Sequence, residues 1–257
     1  IAVKGLLLAA GKGTRLQPLT NHTPKPLLKV GSRPILSWIM EGLRDEGVDE
    51  IGLIIGHLGD QIREYYGDGA QLNLQLSYYE QTVRNGTAGA VLPASEFLHE
   101  GPFFLGYGDI LVDRRNYREL FKKFHEHPDS SVISGWPSET PWAGGVLKVD
   151  SRDRLLDLVE KPSRALYENT DNGSTVDLDG NGLGNLINAG LMIFQPEIIS
   201  HIEQVKPSPR GELELTDAML ELARASTVRV HRLHTFWSDI GTPEKLKEAD
   251  EYFTRLE

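Results

Sequence analysis

Two glycines, a threonine and two cations stand directly behind a short apolar run near the start of the chain: Leu6-Leu7-Leu8-Ala9-Ala10-Gly11-Lys12-Gly13-Thr14-Arg15-Leu16, continuing to Pro24-Lys25-Pro26. Val3 to Leu8 reads as a fully buried strand. Glycine lets backbone N–H groups come close to an anion, and a helix starting here would aim its positive end at that anion. Arg15 and Lys25 add full charges to the same neighbourhood, so the chemistry offered is the holding of a polyphosphate. On the loop alone other readings compete. A dinucleotide fold needs a third glycine where Leu16 stands, and an acid after the second strand where Gly56-His57 stands. A P-loop has these residue types in a different order. A tight strand-to-helix turn with incidental charges stays open.

Hydrophobic spacing sets out the elements that must carry this loop. Pro34 to Glu46 places Ile35, Leu36, Ile39, Met40 and Leu43 on one helical face, and Gly47 follows where a helix end favours glycine. Ile51 to Ile55 is a second buried strand, Gly56 to Gly59 a loop, and Asp60 to Tyr66 a short helix. Leu72 to Tyr79 alternates as a third strand and Thr87 to Leu98 reads as a helix. Phe103 to Tyr107 is a fourth strand, ending in Gly108-Asp109. Strand alternates with helix, and no tight hairpin is expected in the first hundred residues. That pattern predicts βαβ units and a parallel sheet covered on both faces.

The second half changes character. Tyr117 to His127 reads as a helix, Ser131 to Gly135 as a strand, and Gly145 to Val149 with Leu155 to Glu160 as a hairpin. Asn169 to Asn185 is polar, glycine-rich and aperiodic, which reads as a mobile loop. Ile187 to Phe194 is a strand, Pro196 to Gln204 and Thr216 to Ala225 are helices, Val228 to Leu233 is a late strand and Pro243 to Leu256 a terminal helix. No internal repeat or separating linker is visible. The expected build is a single three-layer α/β domain, a Rossmann-like, mostly parallel sheet flanked by helices. Residues 1–110 would form a nucleotide-binding half, and residues 111–257 a more β-rich half that completes the pocket.

Composition narrows the partners. A chain of 257 residues has room for a substantial core, and its net charge of −10 argues against nucleic acid or an anionic membrane as the main partner. Local cations decide whether a phosphorylated small substrate is bound. With no cysteine there is no disulfide framework, thiolate metal site or cysteine nucleophile. The eight histidines are scattered, and none pairs with a carboxylate motif at helical metal spacing. No apolar run of membrane-spanning length and no signal-like pattern occurs; the chain begins at Ile1, so a short leader stays open, with the cytoplasm as the default compartment.

Leu8 to Thr20 with Pro24-Lys25-Pro26-Leu27-Leu28 resembles the signature of the sugar-1-phosphate nucleotidylyltransferases, in particular the glucose-1-phosphate thymidylyltransferase branch. Gly86-Thr87-Ala88-Gly89-Ala90 is similar to that family's second nucleotide segment, and Gly108-Asp109 to its metal-binding acid. Glu160-Lys161-Pro162 and Asn188-Ala189-Gly190 resemble the sugar-phosphate and sugar segments. Glu214-Leu215-Thr216-Asp217 and Trp237-Ser238-Asp239-Ile240-Gly241-Thr242-Pro243 complete the series in the expected order.

The resemblance implies attack of a sugar-1-phosphate oxygen on the α-phosphorus of a nucleoside triphosphate, releasing pyrophosphate. Both substrates are anions, so the protein must hold them together and neutralise an in-line transition state. Leu8, Ala10, Gly11, Gly13, Thr14, Arg15, Gln81, Gly86 and Thr87 would bind the nucleotide. Arg15 and the Gly11 to Thr14 backbone would hold the β- and γ-phosphates, and Lys25 the α-phosphate. Gly145, Glu160, Lys161 and Asn188 would hold the sugar phosphate, with Lys161 on the phosphate itself. Mg²⁺ is the implied cofactor, on Asp109 and Asp239, since it takes one or two carboxylates with phosphate oxygens and water. Read alone, Asp239 is equally a loop-capping aspartate.

Gln81 stands where the thymidylyltransferase branch sets a glutamine against the base, and its amide matches the C=O/N–H edge of thymine or uracil. Glu80 is its neighbour, and a register slip of one would offer a carboxylate suited to guanine. The reading therefore favours dTTP or UTP with glucose-1-phosphate over a GTP-dependent mannose-1-phosphate or heptose-1-phosphate transfer. Where that branch has Tyr-Gly-Val, this chain has Trp142-Ala143-Gly144-Gly145-Val146, so an aromatic wall is missing or displaced onto Trp142. A long C-terminal helical extension, the seat of regulatory contacts in that branch, is not expected. A homo-oligomer is compatible with the resemblance, although no apolar stripe specifies one.

Asp177-Leu178-Asp179-Gly180-Asn181-Gly182 matches the first half of an EF-hand loop, but its twelfth position is Asn188 and flanking helices are not expected. The rival from another class is a catalytically dead relative that binds nucleotide or sugar phosphate as a regulatory subunit. Retention of Arg15, Lys25, Asp109, Lys161 and Asp239 favours the enzyme.

Overall fold

Neighbouring residues of the central strands face opposite sides of the sheet, and both sides are apolar. In the computed structural model, which describes residues 2–165 and 184–257, Leu7, Leu53, Phe104, Val132 and Ile193 belong to one buried cluster. Their chain neighbours Leu6, Ile54, Leu105, Ile133 and Met192 belong to another. Strands buried on both faces need helices on both. Helices Ile35–Asp45, Arg114–Glu126 and Pro243–Thr254 cover the first side through Leu36, Met40, Tyr117, Phe121, Phe124 and Phe253. Helices Thr87–Val91, Ile198–Gln204 and Leu215–Ala225 cover the second through Val91, Ile198, Ile202, Met219 and Leu222. Each such side chain taken out of water contributes about 1.5–3 kcal/mol. The three-layer α/β architecture is as expected.

The strands in chain order are β1 (Lys4–Leu8), β2 (Lys29–Val30), β3 (Arg33–Pro34), β4 (Glu50–Ile55), β5 (Gln75–Glu80), β6 (Phe103–Tyr107) and β7 (Ile110–Val112). They continue as β8 (Ser131–Pro137), β9 (Gly145–Val149), β10 (Leu155–Glu160), β11 (Leu186–Phe194), β12 (Val228–Arg232) and β13 (Trp237–Asp239). The main sheet runs β10-β9-β11-β6-β1-β4-β5, and β8 joins β11 to β12. β1 is parallel to both β4 and β6, and β4 is parallel to β5, so these four strands end at one edge. β11 runs antiparallel to β6, β8 and β9, with an irregularity between Asn188 and Met192. That strand carries the sheet across the boundary between the two halves of the chain.

Several local expectations are corrected. No helix follows the glycine loop: Thr14–Leu16 is a single 3-10 turn, and Gln17 is already extended ahead of Pro18. A two-residue hairpin, β2 with β3, does occur in the first hundred residues, around Gly31 at φ 58. Thr87 to Leu98 is not one helix, because the Leu92–Ala94 turn containing Pro93 divides it. The third strand starts at Gln75, since Asn73 is left-handed and closes the preceding turn. β7 and β13, pairing antiparallel, were not expected at all. Residues 169–183 of the supposed mobile loop, and with them Asp177 to Gly182, lie outside the described residues. Asn188, the would-be twelfth calcium position, stands in β11. No described helix is long and apolar enough to cross a membrane.

Candidate active site

The ends of β1, β5 and β6 and the loops after them line a cleft of about 390 Å³, at the sheet edge where open α/β folds bind ligands. Eight expected positions meet there: Leu8, Ala10, Gly11, Lys25, Gln81, Gly86, Thr87 and Asp109. A second cleft of about 250 Å³ is lined by Gly145, Glu160, Lys161 and Asn188, the whole expected sugar-phosphate set. Thr87, Tyr107 and Glu212 line both, so the two are one continuous site. Gly13, Thr14, Arg15 and Asp239 are not among the residues lining either cleft. Arg15 rests on the Gly241 backbone: a Cβ at Gly241 would stand 3.0 Å from its Nη2.

Charge organises the first cleft. Lys25 is buried, and its Nζ lies 2.5 Å from Asp109 Oδ2. A lysine that deep needs such a partner. Asp109 stands two residues past the end of β6, and the unexpected β7–β13 ladder brings Asp239 beside it, opposite Ile110. Ile240 N donates to the Asp109 carbonyl at 2.8 Å. Asp239 in turn holds the ammonium of Lys245. Burial, with Arg15 and Lys25 close by, lowers the Lys245 pKa. Two carboxylates set side by side by backbone pairing fit Mg²⁺, with phosphate oxygens and water completing its shell. Among the described residues no group of three His, Cys, Asp or Glu could hold a metal unaided.

Gly86 shows how the far wall is held. Its φ is +103, and a Cβ there would stand 2.4 Å from the Leu213 carbonyl oxygen. Leu213 N donates to Asn85 O at 2.6 Å, Ala88 N to Leu213 O at 2.9 Å, and Leu215 N to Thr87 Oγ1 at 2.9 Å. The turn ahead of the Leu215–Ala225 helix is thereby clamped onto the segment from Asn85 to Ala88, with Glu212 on both clefts. Gln81 lines the cleft, whereas Glu80 faces Arg63 at 3.5 Å.

Around the second cleft, Asn188 Oδ1 accepts from Gly190 N at 3.0 Å and Trp237 Nε1 donates to Ala189 O at 2.8 Å, fixing the irregular part of β11. Gly190, at φ +80, lets Tyr107 and Ile110 pack against its backbone. Lys161 is left-handed, at φ 42, and its Nζ is 4.0 Å from Glu160 Oε1. Burial raises the Glu160 pKa; Lys161 opposes this and Glu214 adds to it. Burial, reinforced by Glu160, Asp109 and Glu214, pushes up the Tyr107 hydroxyl. Trp142 is not among the lining residues and stacks instead with Arg164, 5.1 Å from ring centre to guanidinium.

The sequence reading did not single out Arg84, Tyr107, Glu212 or Lys245. Arg84 Nη2 donates to Ala10 O at 3.3 Å and lines the first cleft. Tyr107 immediately precedes Gly108-Asp109, and Lys245 lies three residues after Thr242, which caps its helix. Those adjacencies were the available signals. Glu212 sits in a polar run with no periodicity.

A mostly parallel sheet with a glycine loop at its edge and a two-part charged cleft defines the protein as an α/β fold with its candidate site at the ends of the parallel strands. The chain belongs to the nucleotidyl transferase family, whose model matches residues 4–255. It is 32% identical to the low-salt glycan biosynthesis nucleotidyltransferase Agl11 of Haloferax volcanii, over 97% of this chain and 65% of that protein. It is 33% identical to the bifunctional protein GlmU of Methanococcus aeolicus, over 97% and 54%. With the glucose-1-phosphate thymidylyltransferase of Streptomyces griseus the identity is 30%, over 96% and 65%. The chain thus spans between 54% and 65% of the length of these curated relatives. The fold matches that of UDP-glucose pyrophosphorylase complexed with UDP-glucose, at a TM-score of 0.85 and 20% identity over 100% of both chains. The apo form of a UDP-glucose pyrophosphorylase gives 0.82 at 20% identity, over 100% of this chain and 99% of that one. The expected kinship with sugar-1-phosphate nucleotidyltransferases is borne out.

Proposed function

We propose that this chain transfers the nucleotidyl group of dTTP or UTP to a sugar-1-phosphate, glucose-1-phosphate first, forming an NDP-sugar and pyrophosphate. The observation that carries the reading is the continuity of the two clefts through Thr87, Tyr107 and Glu212. It puts the Lys25–Asp109 pair at one end of a single site and Lys161 at the other.

In this mechanism a sugar-phosphate oxygen attacks the α-phosphorus, and the bond from that phosphorus to the β-phosphate oxygen breaks. Lys25 steadies the α-phosphate from the floor of the cleft. The Gly11 to Thr14 backbone and Arg15 hold the β- and γ-phosphates. Lys161 brings the sugar phosphate into line, relieving the repulsion of two anions. Glu160 and Asn188 orient the sugar, the Nδ2 of Asn188 remaining outside the bond that its Oδ1 accepts from Gly190. Asp109 and Asp239 would hold Mg²⁺, which when bound supplies charge neutralisation at the phosphates. Gln81 reads the base, a role supported by Glu80 turning away to Arg63. Residues 1–110 serve as the nucleotide half and 111–257 as the sugar-phosphate half, and the reaction is assigned to the cytoplasm.

Pyrophosphate release, followed with each triphosphate in the presence and absence of Mg²⁺, tests this reading. Release that requires a sugar-1-phosphate and Mg²⁺ is expected. A chain that binds substrates without turnover is instead a regulatory binding relative.

A further inference from the structure

A third cavity, an open groove of about 470 Å³, lies behind the glycine loop, on side chains to which the mechanism above gives no role. Its walls carry Lys12, Thr14, Gln17, His22 and His57, and among the described residues no carboxylate lines it. In a chain of net charge −10, a cavity with three basic groups and no acid selects an anion. Its parts are held by the fold. Gln61 Nε2 donates to the His22 carbonyl at 2.9 Å, and Thr20 Oγ1 donates to Gly13 O at 2.8 Å. His57 follows β4 at the turn that enters the Gly59–Tyr66 helix.

The glycine loop contributes residues to both this cavity and the nucleotide cleft. Gly11 faces the cleft, and Lys12 and Thr14 face the cavity. A Cβ on the intervening Gly13 would stand 3.0 Å from Thr20 Cγ2, on the cavity side, and 3.2 Å from Lys25 Cβ, on the cleft side. The sugar-side cleft instead joins the nucleotide cleft at Thr87, Tyr107 and Glu212. Displacement at phosphorus is in line, so the leaving oxygen departs opposite to the one that attacks. Resting on the transferase reading above, we propose that the Lys12–His22–His57 cavity is the docking site for inorganic pyrophosphate as it leaves. The ammonium, the two imidazoles and the donors of Thr14 and Gln17 replace the contacts pyrophosphate loses on clearing Arg15 and the loop backbone.

The test is calorimetric titration of the full chain with inorganic pyrophosphate alone, beside a parallel titration with UTP. The parent is expected to bind pyrophosphate, and His22→Gln/His57→Gln to bind it about 10-fold more weakly, the scale of one or two lost charge-assisted hydrogen bonds. UTP affinity should fall less than about threefold, below one such bond. Lys12→Gln, on the exposed loop, should weaken pyrophosphate in the same direction and serves if the double variant does not fold. Unchanged pyrophosphate affinity in both variants, or no binding by the parent, overturns the proposal. An equal loss for UTP also overturns it, because the cavity would then hold the triphosphate and not the leaving group. Calorimetry needs no turnover. An inactive chain whose variants lose pyrophosphate upholds the site and overturns the transferase reading; an active chain with unchanged variants does the reverse.

Discussion

Lys25 Nζ and Asp109 Oδ2 are 2.5 Å apart, the lysine only 8% exposed. The contact ties the loop after β1 to the end of β6 and places a cation and a carboxylate on the same wall of the cleft. The β7–β13 ladder sets Asp239 and its partner Lys245 beside them. Charges of opposite sign thus alternate from Lys25 through Asp109 and Asp239 to Lys245.

Lys25→Met removes the cation and leaves Asp109 facing the triphosphate. Turnover in a pyrophosphate-release assay should fall by about 10²–10³-fold, the scale of a lost transition-state donor. Lys25→Arg should recover only part of it, because a guanidinium cannot sit as a point charge in so closed a space. Parent-like turnover with only a raised KM would remove Lys25 from the chemistry.

Lys161 adopts φ 42 on the wall of the second cleft, a conformation that costs a non-glycine residue about 1–3 kcal/mol and recurs at functional positions. Lys161→Ala should lower kcat by roughly 10²-fold or more. Lys161→Gly, which relieves the strain, should be more stable than Lys161→Ala in urea and no more active. Activity that tracked stability across the two would make the lysine structural.

Gly86→Ala meets the Leu213 carbonyl at 2.4 Å as well as an unfavourable φ of +103. A loss of at least about 2 kcal/mol in urea unfolding is expected, with a raised KM for the triphosphate as the clamp opens. Gly47→Ala is the control. Its φ is +87 but nothing lies within 4 Å, so only the backbone strain of about 1 kcal/mol should appear.

Asp113 ties the Arg114–Glu126 helix to the terminal helix. Burial raises its pKa, but hydrogen bonds from the Arg115 side chain, Tyr252 and the Arg115 N–H outweigh burial and hold it at about 2. Arg115 Nε and N donate at 2.9 Å, and Tyr252 Oη at 2.5 Å. The folded pKa lies below the unfolded value of about 3.9, so the stabilisation is fully present above about pH 4 and is lost as pH falls through about 2. Asp113→Asn should cost on the order of 2 kcal/mol at pH 7. Thermal unfolding across this range should show the parent and the variant converging towards pH 2, and a constant gap would contradict it.

The parallel core was legible because Leu6 and Leu7, or Ile54 and Leu53, are all apolar and have to be buried on both faces. Gly108-Asp109 could then be placed at the sheet edge from chain order alone. β7 and β13 could not be read: three-residue strands carry too little alternation, and their pairing joins distant parts of the chain. Lys245 was missed for the same reason, since its partner Asp239 reaches the site only through that ladder. Tyr107 reads as the last core aromatic of β6 until the fold shows it between two clefts. Glu212 lies in a polar run whose clamp on Asn85 and Ala88 is made by the Leu213 backbone, which leaves no pattern in side chains.

The most direct measurement is pyrophosphate release by the purified chain with Mg²⁺, across dTTP, UTP, CTP, ATP and GTP and a panel of sugar-1-phosphates. The account expects release that depends on both substrates, with dTTP or UTP preferred and glucose-1-phosphate among the sugars accepted. Preference for GTP would overturn the role given to Gln81, and no release with any pair would contradict the transferase itself.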